Sequence, residues 1–441
     1  MYRDAGPTLV PRQANPLGMT PADKTSEATM SELGPRAKAA AAVVGGLAPG
    51  PRGRVLSGLA RLIETRAERV LRANALDLAA AAAGGTTGPK LKRLALTAEG
   101  VAQLAAGVRA VAAQPEVAGE VVRGWTAASG LDVQKVRTPL GVVCMIYEAR
   151  PGVTVDAFAL CFKAGNACIL KGGREAAHSN TALMELVSEA LRSGGVSVDA
   201  AQLVTTSDRD ALKVLLADRE NIDLVIPRGG TELIRFVSEH SKIPTLQHYQ
   251  GVCHVYVHSA ADLEMAERIC VTGKASAPAT CNATECVLVD AAVAEQFVPQ
   301  LVAAFAGAGV EVRGDAAVQL LGGVKVSAAA VGDFGCEFLD LVVAMRVVSG
   351  LDEAVEHIRR YTSDHTEAIV TEDASAAERF VAEVRSSCVL VNASTRNNDG
   401  GALGLGAEIG ISTTRLHAYG PMGAEQLTVE RFVVRGRGQC R

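Results

Sequence analysis

The chain has 441 residues, of which 48% are hydrophobic and 21% are charged, and its formal net charge is −4. A chain of this length is expected to form two or three domains, and its composition is that of a folded globular protein. The small negative charge gives no general attraction for nucleic acid, and no apolar segment reaches the roughly 20 residues that a membrane span needs. We therefore expect neither a nucleic-acid partner nor a membrane partner.

The N-terminal part divides into a polar stretch and a helical region. Residues 1–29 are rich in proline and polar residues and lack an apolar run, so we interpret them as a flexible tail, with Met30 as a candidate start of the fold. A signal-like pattern near residue 40 is too far from the N-terminus and leads into Ala-rich helical sequence. From Arg36 to about Val111, apolar residues repeat at helical spacing, which predicts several helices.

Beyond residue 140 the pattern changes to short β-rich runs separated by stretches long enough for helices. Strands that alternate with helices predict parallel sheets, and two such series predict two α/β domains. The first series contains GVVCMIY (141–147), ACILK (167–171), QLV (202–204) and IDLVIP (222–227). The second contains CHVYV (253–257), ECVLV (285–289), LDLVVAMRVV (339–348), EAIV (367–370) and CVLV (388–391), with VERFVVR (429–435) as a last strand.

The ten cysteines show no C-x-x-C pair and no zinc-type set with histidine, so we predict no metal site. Free thiols in this number indicate a reducing cytoplasm. Five cysteines lie in apolar runs and are expected to be small core residues: Cys144, Cys161, Cys168, Cys253 and Cys286.

Cys281 differs from these five because it lies in a loop-like stretch, between Thr280 and Asn282, just before a predicted strand. A nucleophilic thiolate must be reachable and needs donors near the oxyanion that it creates. Asn282 is a candidate donor. From the residues alone, a buried and inert Cys281 remains an alternative.

Two predicted strands end in residues suited to a nucleotide, which open parallel sheets bind at the carboxyl ends of their strands. Lys171 ends one strand and can pair with ribose hydroxyls or a phosphate, although a solvated lysine is the alternative. Gly229, Gly230 and Thr231 follow another strand and begin a helix, whose free N–H groups favour a phosphate. The sequence GLGAEIG (404–410) imitates a dinucleotide loop, but its spacing is wrong and no strand leads into it.

Several long blocks, in order, resemble the gamma-glutamyl phosphate reductases, a divergent branch of the aldehyde dehydrogenase superfamily. The resemblance covers the chain from about Glu32 to Gly436. It implies an aldehyde dehydrogenase-like α/β fold with two parallel-sheet domains and a small β-flap for oligomerisation. The blocks are PLGVVCMIYEARPGVTVDAFALCFKAGNACILKGGREAAHSN, DLVIPRGGTELIRFV, CHVYV, CNATE, EAIVTED and VNASTRNNDGGALGLGAEIGISTTRLHAYGPMG.

The implied fold gives three folded parts. We predict a cofactor-binding domain at residues 30–252, with flap strands near 124–140, and a catalytic domain that carries Cys281 at residues 253–407. A C-terminal segment, residues 408–441, is expected to return to the flap.

The resemblance also implies NADPH-dependent reduction of L-glutamyl 5-phosphate to L-glutamate 5-semialdehyde, a step of proline biosynthesis. The Cys281 thiolate would attack the acyl phosphate and leave a thioester for hydride to reduce. The implied partners are the small-molecule substrate, NADPH or NADP, and further copies of the chain. Because the acyl phosphate is labile, the glutamate 5-kinase that supplies it is a candidate partner.

By the same resemblance, Lys171 contacts the adenosine ribose region of the cofactor, and Gly229, Gly230 and Thr231 lie near the pyrophosphate. Glu337 resembles the carboxylate that holds the nicotinamide ribose, with a solvated acidic residue as the alternative.

The substrate carries an amino acid head and an acyl phosphate, so its pocket needs cationic donors. Arg150 and Arg396 are our candidates for the anionic groups, and Glu148 or Asn392 for the ammonium group. A surface salt bridge is the alternative for each arginine. His417 is expected to support the nearby loop rather than to move protons.

One departure from the superfamily bears on the reaction. Hydrolytic members place a glutamate upstream of the cysteine to activate water, whereas Gln247 occupies the corresponding position here and cannot act as a base. The departure fits an enzyme whose thioester is reduced, or attacked by phosphate in reverse, and His248 is a candidate base nearby. Another acylating or hydrolytic aldehyde dehydrogenase, or a non-catalytic protein with this fold, remains an alternative.

Overall fold

The computed structural model describes residues 27–148, 150–206 and 208–440, so most of the predicted tail at 1–29 lies outside the described residues. The described helices are α1 (Glu27–Gly45), α2 (Pro51–Thr65), α3 (Ala67–Ala83), α4 (Gly88–Leu94), α5 (Ala98–Ala113), α6 (Val153–Lys163), α7 (Ala177–Ser193), α8 (Arg209–Ala217), α9 (Thr231–His240), α10 (Leu263–Ala275), α11 (Ala291–Gly307), α12 (Ala316–Gly322), α13 (Leu351–Tyr361) and α14 (Ala374–Glu383).

The described strands are β1 (Val121–Thr126), β2 (Asp132–Pro139), β3 (Val142–Tyr147), β4 (Ala167–Lys171), β5 (Ala201–Leu203), β6 (Leu224–Arg228), β7 (Cys253–Val257), β8 (Thr284–Asp290), β9 (Glu311–Gly314), β10 (Val326–Ala328), β11 (Val342–Val348), β12 (Thr366–Val370), β13 (Cys388–Val391), β14 (Gly410–Ser412), β15 (Gly420–Met422) and β16 (Thr428–Arg435).

The predicted helical region is confirmed as helices α1 to α5, which precede the first strand. On α2, the apolar residues at helical spacing form one buried face that includes Leu56, Leu59 and Ile63. Burying that face stabilises the helix more than its intrinsic propensity does. Of these helices, α1 packs against β3 and β4 of the first sheet, whereas α2, α3 and α5 pack against α6 and α7.

The N-terminal sheet contains four parallel strands in the order β5-β4-β3-β6. Every residue of β3 is buried, as expected for a strand covered on both faces. The predicted strands of the first series are confirmed, with small shifts at their ends. The sheet presents three strand ends at one edge: Tyr147, Lys171 and Arg228.

The C-terminal sheet contains seven parallel strands in the order β10-β9-β11-β8-β7-β12-β13. Its side chains alternate between two cores: on β8, Val287 and Val289 face one core, whereas Cys286 and Leu288 face the other. The five strands predicted in this region are confirmed. The outer strands β9 and β10 were not predicted.

Two further sheets are antiparallel: a two-stranded sheet of β14 and β15, and a three-stranded sheet with the order β1-β2-β16, which we call the flap. Arg435 pairs with Asp132 and Thr428 with Pro139, so the end of the chain returns to residues 132–139. The flap thus lies where the sequence predicts its strands. The proposed domain boundaries at 252 and 407 stay a prediction.

All ten cysteines are free, and the five predicted core cysteines are buried, whereas Cys281 is only partly buried. Among the described helices, none has the length and apolar character needed to cross a membrane.

Candidate active site

Cys281 lies in the turn between α10 and β8, at the amino edge of the C-terminal sheet. The Cys253 thiol donates a hydrogen bond to the Cys281 carbonyl oxygen, with the Sγ and O atoms 3.2 Å apart. Gly251 packs against the same turn so closely that a Cβ atom there would lie 1.9 Å from that oxygen. Only glycine permits this approach, so the backbone around Cys281 is held firmly.

His248 is oriented toward the Cys281 thiol. Its Nδ1 lies 2.9 Å from the carbonyl oxygen of Ile411, and because a carbonyl only accepts, Nδ1 must carry the hydrogen. The other ring nitrogen, Nε2, is therefore left for the thiol. Burial acts to raise the pKa of Cys281, but the hydrogen bond and charge of His248, together with Arg228, outweigh it and lower the pKa.

Core cysteines show the opposite behaviour. Burial raises the pKa of the Cys144 thiol to about 12, so that thiol stays protonated and inert. Cys281 is thus set apart from the core cysteines by a lowered pKa as well as by partial exposure, which is the microenvironment of a nucleophile.

A second histidine, His365, completes a cluster that the sequence did not reveal. It precedes β12, and its ring centroid lies 5.3 Å from that of His248. One nitrogen of each ring and the Cys281 Sγ all lie within 4.8 Å of one another. Burial lowers the pKa of His365 to about 4, so the imidazole is neutral at physiological pH. Its Nε2 atom is buried and has no hydrogen-bond partner among the described residues.

Three arginines give this cleft a positive side. Arg228 ends β6, and its Nη2 lies 3.9 Å from a carboxylate oxygen of Glu408. Arg93 donates a hydrogen bond of 2.5 Å to the backbone oxygen of Ala279, in the turn that carries the cysteine. Arg150 lies open to the cleft and makes no hydrogen bond or ion pair with the described residues; desolvation, then Arg228 and Arg93, lower its pKa. An unpaired arginine beside a thiolate is suited to bind an anionic substrate.

Two carboxylates face the same cleft. Glu408 accepts a 2.9 Å hydrogen bond from the backbone N–H of Gly400, and burial raises its pKa, with Arg228 opposing the shift. Asp156 lies in the first turn of α6, and its carboxylate has no hydrogen-bond partner among the described residues. Burial, and next the charge of Glu408, raise the pKa of Asp156 to about 7. The sequence analysis identified neither residue as a site residue.

Asn282 and Arg396 hold the turn in place. The Asn282 amide nitrogen lies 3.0 Å from the carbonyl oxygen of Asn398, and its side-chain oxygen accepts a hydrogen bond from Arg396. The same Arg396 nitrogen donates to Thr280 Oγ1 over 2.9 Å. The side chains predicted as oxyanion donor and substrate ligand are therefore bonded to each other.

Four of the five predicted cofactor residues lie at the carboxyl edge of the N-terminal sheet, near Glu148: Lys171, Gly229, Gly230 and Thr231. A Glu148 carboxylate oxygen accepts a 3.0 Å hydrogen bond from the N–H of Gly230, which caps α9 just before Thr231. A Cβ on Gly229 would lie 2.4 Å from the same oxygen. The beginning of α9 thus holds an anionic oxygen in this structure, which supports a phosphate-binding role for these backbone groups.

Lys171 lies in the same region and donates a 2.7 Å hydrogen bond to the carbonyl oxygen of Gly172. Burial lowers the pKa of Lys171, while Glu175 and Glu148 oppose that effect. The carboxylates of Glu175 and Glu148 are therefore close enough to Lys171 to favour its charged form.

Asn392 is not brought to the cleft. It follows β13 at the carboxyl edge of the C-terminal sheet, whereas Cys281 lies at the amino edge. Its side-chain oxygen accepts from the N–H of Thr371 and its nitrogen donates to the Thr371 carbonyl, each over 2.9 Å. The Asn392 amide thus joins the ends of β12 and β13.

Glu337 and Gln247 approach the turn in different ways. Burial raises the pKa of Glu337, and a hydrogen bond from the backbone of Gly251 opposes the shift, which places this carboxylate beside the glycine that touches Cys281. The Gln247 amide is bound to the hydroxyls of Ser238 and Tyr249, at 3.0 and 3.1 Å. His417 is exposed.

A partly exposed, acidified cysteine between the edges of two parallel sheets defines an enzyme of the aldehyde dehydrogenase type. The model of the aldehyde dehydrogenase family matches residues 7–325 of the chain. A gamma-glutamyl phosphate reductase of Xanthomonas oryzae pv. oryzae is 51% identical over 413 residues, covering 94% of this chain and 100% of that protein. A gamma-glutamyl phosphate reductase of Xylella fastidiosa is 50% identical, covering 93% of this chain and 96% of that protein.

The crystal structure of the gamma-glutamyl phosphate reductase of Thermotoga maritima superposes with a TM-score of 0.89 at 37% identity, covering 93% of this chain and 99% of that one. The chain belongs to the gamma-glutamyl phosphate reductase family of aldehyde dehydrogenases.

Proposed function

We propose that the chain reduces L-glutamyl 5-phosphate to L-glutamate 5-semialdehyde and phosphate, the second step of proline biosynthesis. The family membership supports this reaction. The observation that carries it in this structure is the lowered pKa of the Cys281 thiol beside His248, in a cleft with the unpaired Arg150.

The chemistry begins when His248 takes the thiol proton. The Cys281 thiolate attacks the acyl carbon, a C–S bond forms, and the C–O bond to phosphate breaks, with its electron pair leaving on the phosphate oxygen. His248 can return its proton to the departing phosphate. A nicotinamide cofactor, when bound, would supply the hydride for the acyl carbon. Breaking of the C–S bond would then release the aldehyde and restore the Cys281 thiolate. Holding the acyl carbon on Cys281 keeps it oriented for that transfer.

Arg150 and Arg228 are our proposed ligands of the transferred phosphate. Both lie near Cys281, and Arg228 has only a long contact, of 3.9 Å, with Glu408. A guanidinium group binds a phosphate through two parallel N–H donors, so two such groups can hold the leaving group. Arg396, an earlier candidate, is instead proposed to fix the turn through Asn282.

The ammonium group of the substrate is proposed to bind Asp156, with Glu408 beside it. Asp156 has no cationic partner among the described residues, and burial, followed by the charge of Glu408, raises its pKa to about 7. A substrate ammonium would supply the missing charge. This assignment replaces Glu148, which caps α9, and Asn392, which lies at the other edge of the sheet.

We propose NADPH as the cofactor. The phosphates would be held at the beginning of α9 by Gly229, Gly230 and Thr231, the adenosine ribose region by Lys171, and the nicotinamide ribose by Glu337. The hydrogen bond from Gly230 to a carboxylate supports the fit, since it shows an anionic oxygen on this helix end. The preference for NADP over NAD rests on the family resemblance.

The chain is proposed to act in the cytoplasm as a homo-oligomer joined through the flap, and to receive its labile substrate from glutamate 5-kinase. Ten free cysteines support a reducing compartment. The apolar side chains exposed on the flap support its use as an interface.

The test is NADP⁺ reduction with L-glutamate 5-semialdehyde, measured with and without phosphate. We expect activity only with phosphate, loss of activity in Cys281→Ala, and retention of activity in Cys286→Ala, because that cysteine is buried in the core. Oxidation to the free acid without phosphate would contradict the proposal and favour a hydrolytic aldehyde dehydrogenase.

A further inference from the structure

We propose that Cys281, His248 and His365 form a three-ligand site for a borderline-soft divalent cation such as Zn²⁺, and that metal binding there inactivates the enzyme. One nitrogen of each ring and the thiol sulfur lie within 4.8 Å of one another. Thiolate and imidazole are the ligands that Zn²⁺ takes in proteins, and three protein ligands leave a fourth position for water.

Unused ligand atoms support the site. His365 Nε2 is buried and has no partner among the described residues, while its Nδ1 lies 2.7 Å from Thr366 Oγ1. His248 binds Ile411 through Nδ1, over 2.9 Å. Each histidine thus has Nδ1 bonded to a neighbour and Nε2 outside that bond, and one anchored nitrogen is the usual arrangement of metal-binding histidines.

Access and charge also favour a cation. Cys281 and His248 are partly exposed, so an ion can enter from the cleft, while His365 closes the inner side. The charged groups that act on His365 are three carboxylates, Glu337, Glu408 and Glu367, against Arg228.

A second cluster of the same composition, His254, Cys286 and His357, shows what such a site needs. All three residues are buried. Arg346 lies 3.1 Å from His357 Nδ1, and because arginine only donates, this nitrogen accepts and Nε2 carries the hydrogen, 3.7 Å from the Cys286 sulfur. Because His357 Nε2 carries a hydrogen, it cannot bind a metal, so we expect no metal ion at this second cluster.

The consequence for catalysis is direct. A metal on the thiolate occupies the electron pair that must attack the acyl carbon, and it takes the nitrogen with which His248 accepts the thiol proton. The inference depends only on these three side chains and goes beyond the proposed reaction. It would stand even if the substrate were another acyl compound.

The test uses Co²⁺ as a spectroscopic probe on the full-length protein after removal of metal with EDTA. We expect a near-ultraviolet sulfur-to-cobalt absorption that saturates at about one equivalent and is displaced by Zn²⁺. Cys281→Ser should abolish the band, and His365→Gln should weaken binding. Cys286→Ser should keep the band, which makes it the matched control. Unchanged thermal unfolding of each variant would show that it has folded.

Two further readouts complete the experiment. Zn²⁺ should protect Cys281 from alkylation by iodoacetamide and inhibit the reductase, and EDTA should reverse both effects. A cobalt band that survives Cys281→Ser, or that is lost equally in Cys286→Ser, would overturn the proposal. If the band behaves as expected but no reductase activity is found, the metal site stands and the proposed reaction fails.

Discussion

Among the groups that lower the pKa of the Cys281 thiol, His248 has the largest effect, whereas burial alone would raise that pKa. In His248→Gln the hydrogen bond and the charge are removed, so we expect the pKa of Cys281 to rise. The thiolate then forms only at higher pH, and the rate of alkylation by iodoacetamide at pH 7 should fall about tenfold for each unit of increase in pKa.

The measurement is the pH dependence of Cys281 alkylation, followed by mass spectrometry. The midpoint should move to higher pH in His248→Gln and stay in place in His417→Gln, a control at an exposed position. An unchanged midpoint in His248→Gln would mean that another group, such as Arg228, sets the pKa of the thiol.

Asp156 is expected to cost stability in exchange for substrate binding. Its pKa is raised to about 7 in the folded protein, first by burial, whereas the unfolded chain has the ordinary value of about 3.9. The folded state therefore binds more protons between these pH values, and stability from this group falls as pH rises from about 4 to 7. Above pH 7 Asp156 is ionised in both states, and the full loss of folding stability from this residue remains.

Asp156→Asn should remove this cost. The gain in Tm over the wild type is expected to be absent near pH 4 and to reach a few degrees above pH 7. In the same variant, KM for glutamate 5-semialdehyde should rise, because the ammonium group loses its partner. Thermal unfolding at several pH values measures the first effect. An equal gain in Tm at every pH would contradict the link between the protonation of Asp156 and the stability of the protein.

The beginning of α9 offers backbone N–H groups that suit a phosphate, but a carboxylate already binds one of them. The Glu148 carboxylate holds the N–H of Gly230, in the region assigned to the cofactor phosphates. In Glu148→Gln the charge is removed, so repulsion of the phosphates should weaken and KM for NADPH should fall about two- to fivefold. Steady-state kinetics test this, with Glu239→Gln, at an exposed position near the end of α9, as the control. A rise in KM would assign Glu148 to cofactor binding instead.

The elements that the sequence predicted are those with strong local patterns. The fully buried β3 is a continuous apolar run and β8 contains one at residues 286–289, and both strands were predicted within one residue of their observed ends. β9 and β10 are only four and three residues long, and they lie at the end of the C-terminal sheet with partly exposed side chains. Their sequences contain no apolar run, because an outer strand has fewer neighbours to cover it.

A site residue could be predicted from the sequence only where the residues next to it in the chain indicated its role. Cys281 stood out by its loop, and Arg228, which directly follows the predicted strand IDLVIP, offered a similar signal that was not used. His365 and Glu408 become site residues only through tertiary contacts. Glu408 even lies within the glycine-rich stretch that was set aside as a false dinucleotide loop.

At the scale of the molecule, the cleft lies between the carboxyl edge of the N-terminal sheet and the amino edge of the C-terminal sheet. Arg228 and Lys171 end strands of the N-terminal sheet, whereas Cys281 and His365 precede strands of the C-terminal sheet. The rule that ligands bind at carboxyl ends applies to the first sheet only. In the second sheet Asn392 lies at the carboxyl edge, whereas His365 lies at the amino edge.

The flap gives the last prediction. Phe432 is 62% exposed and meets Trp125 edge to face, with ring centroids 6.2 Å apart, on an antiparallel sheet that has free outer strands. An exposed apolar sheet of this kind is suited to pair with a second copy. Phe432→Asp should therefore shift the protein to a smaller species in size-exclusion chromatography with light scattering. Val324→Asp, at a fully exposed position outside the flap, should not. Equal masses for wild type and Phe432→Asp would place the interface elsewhere.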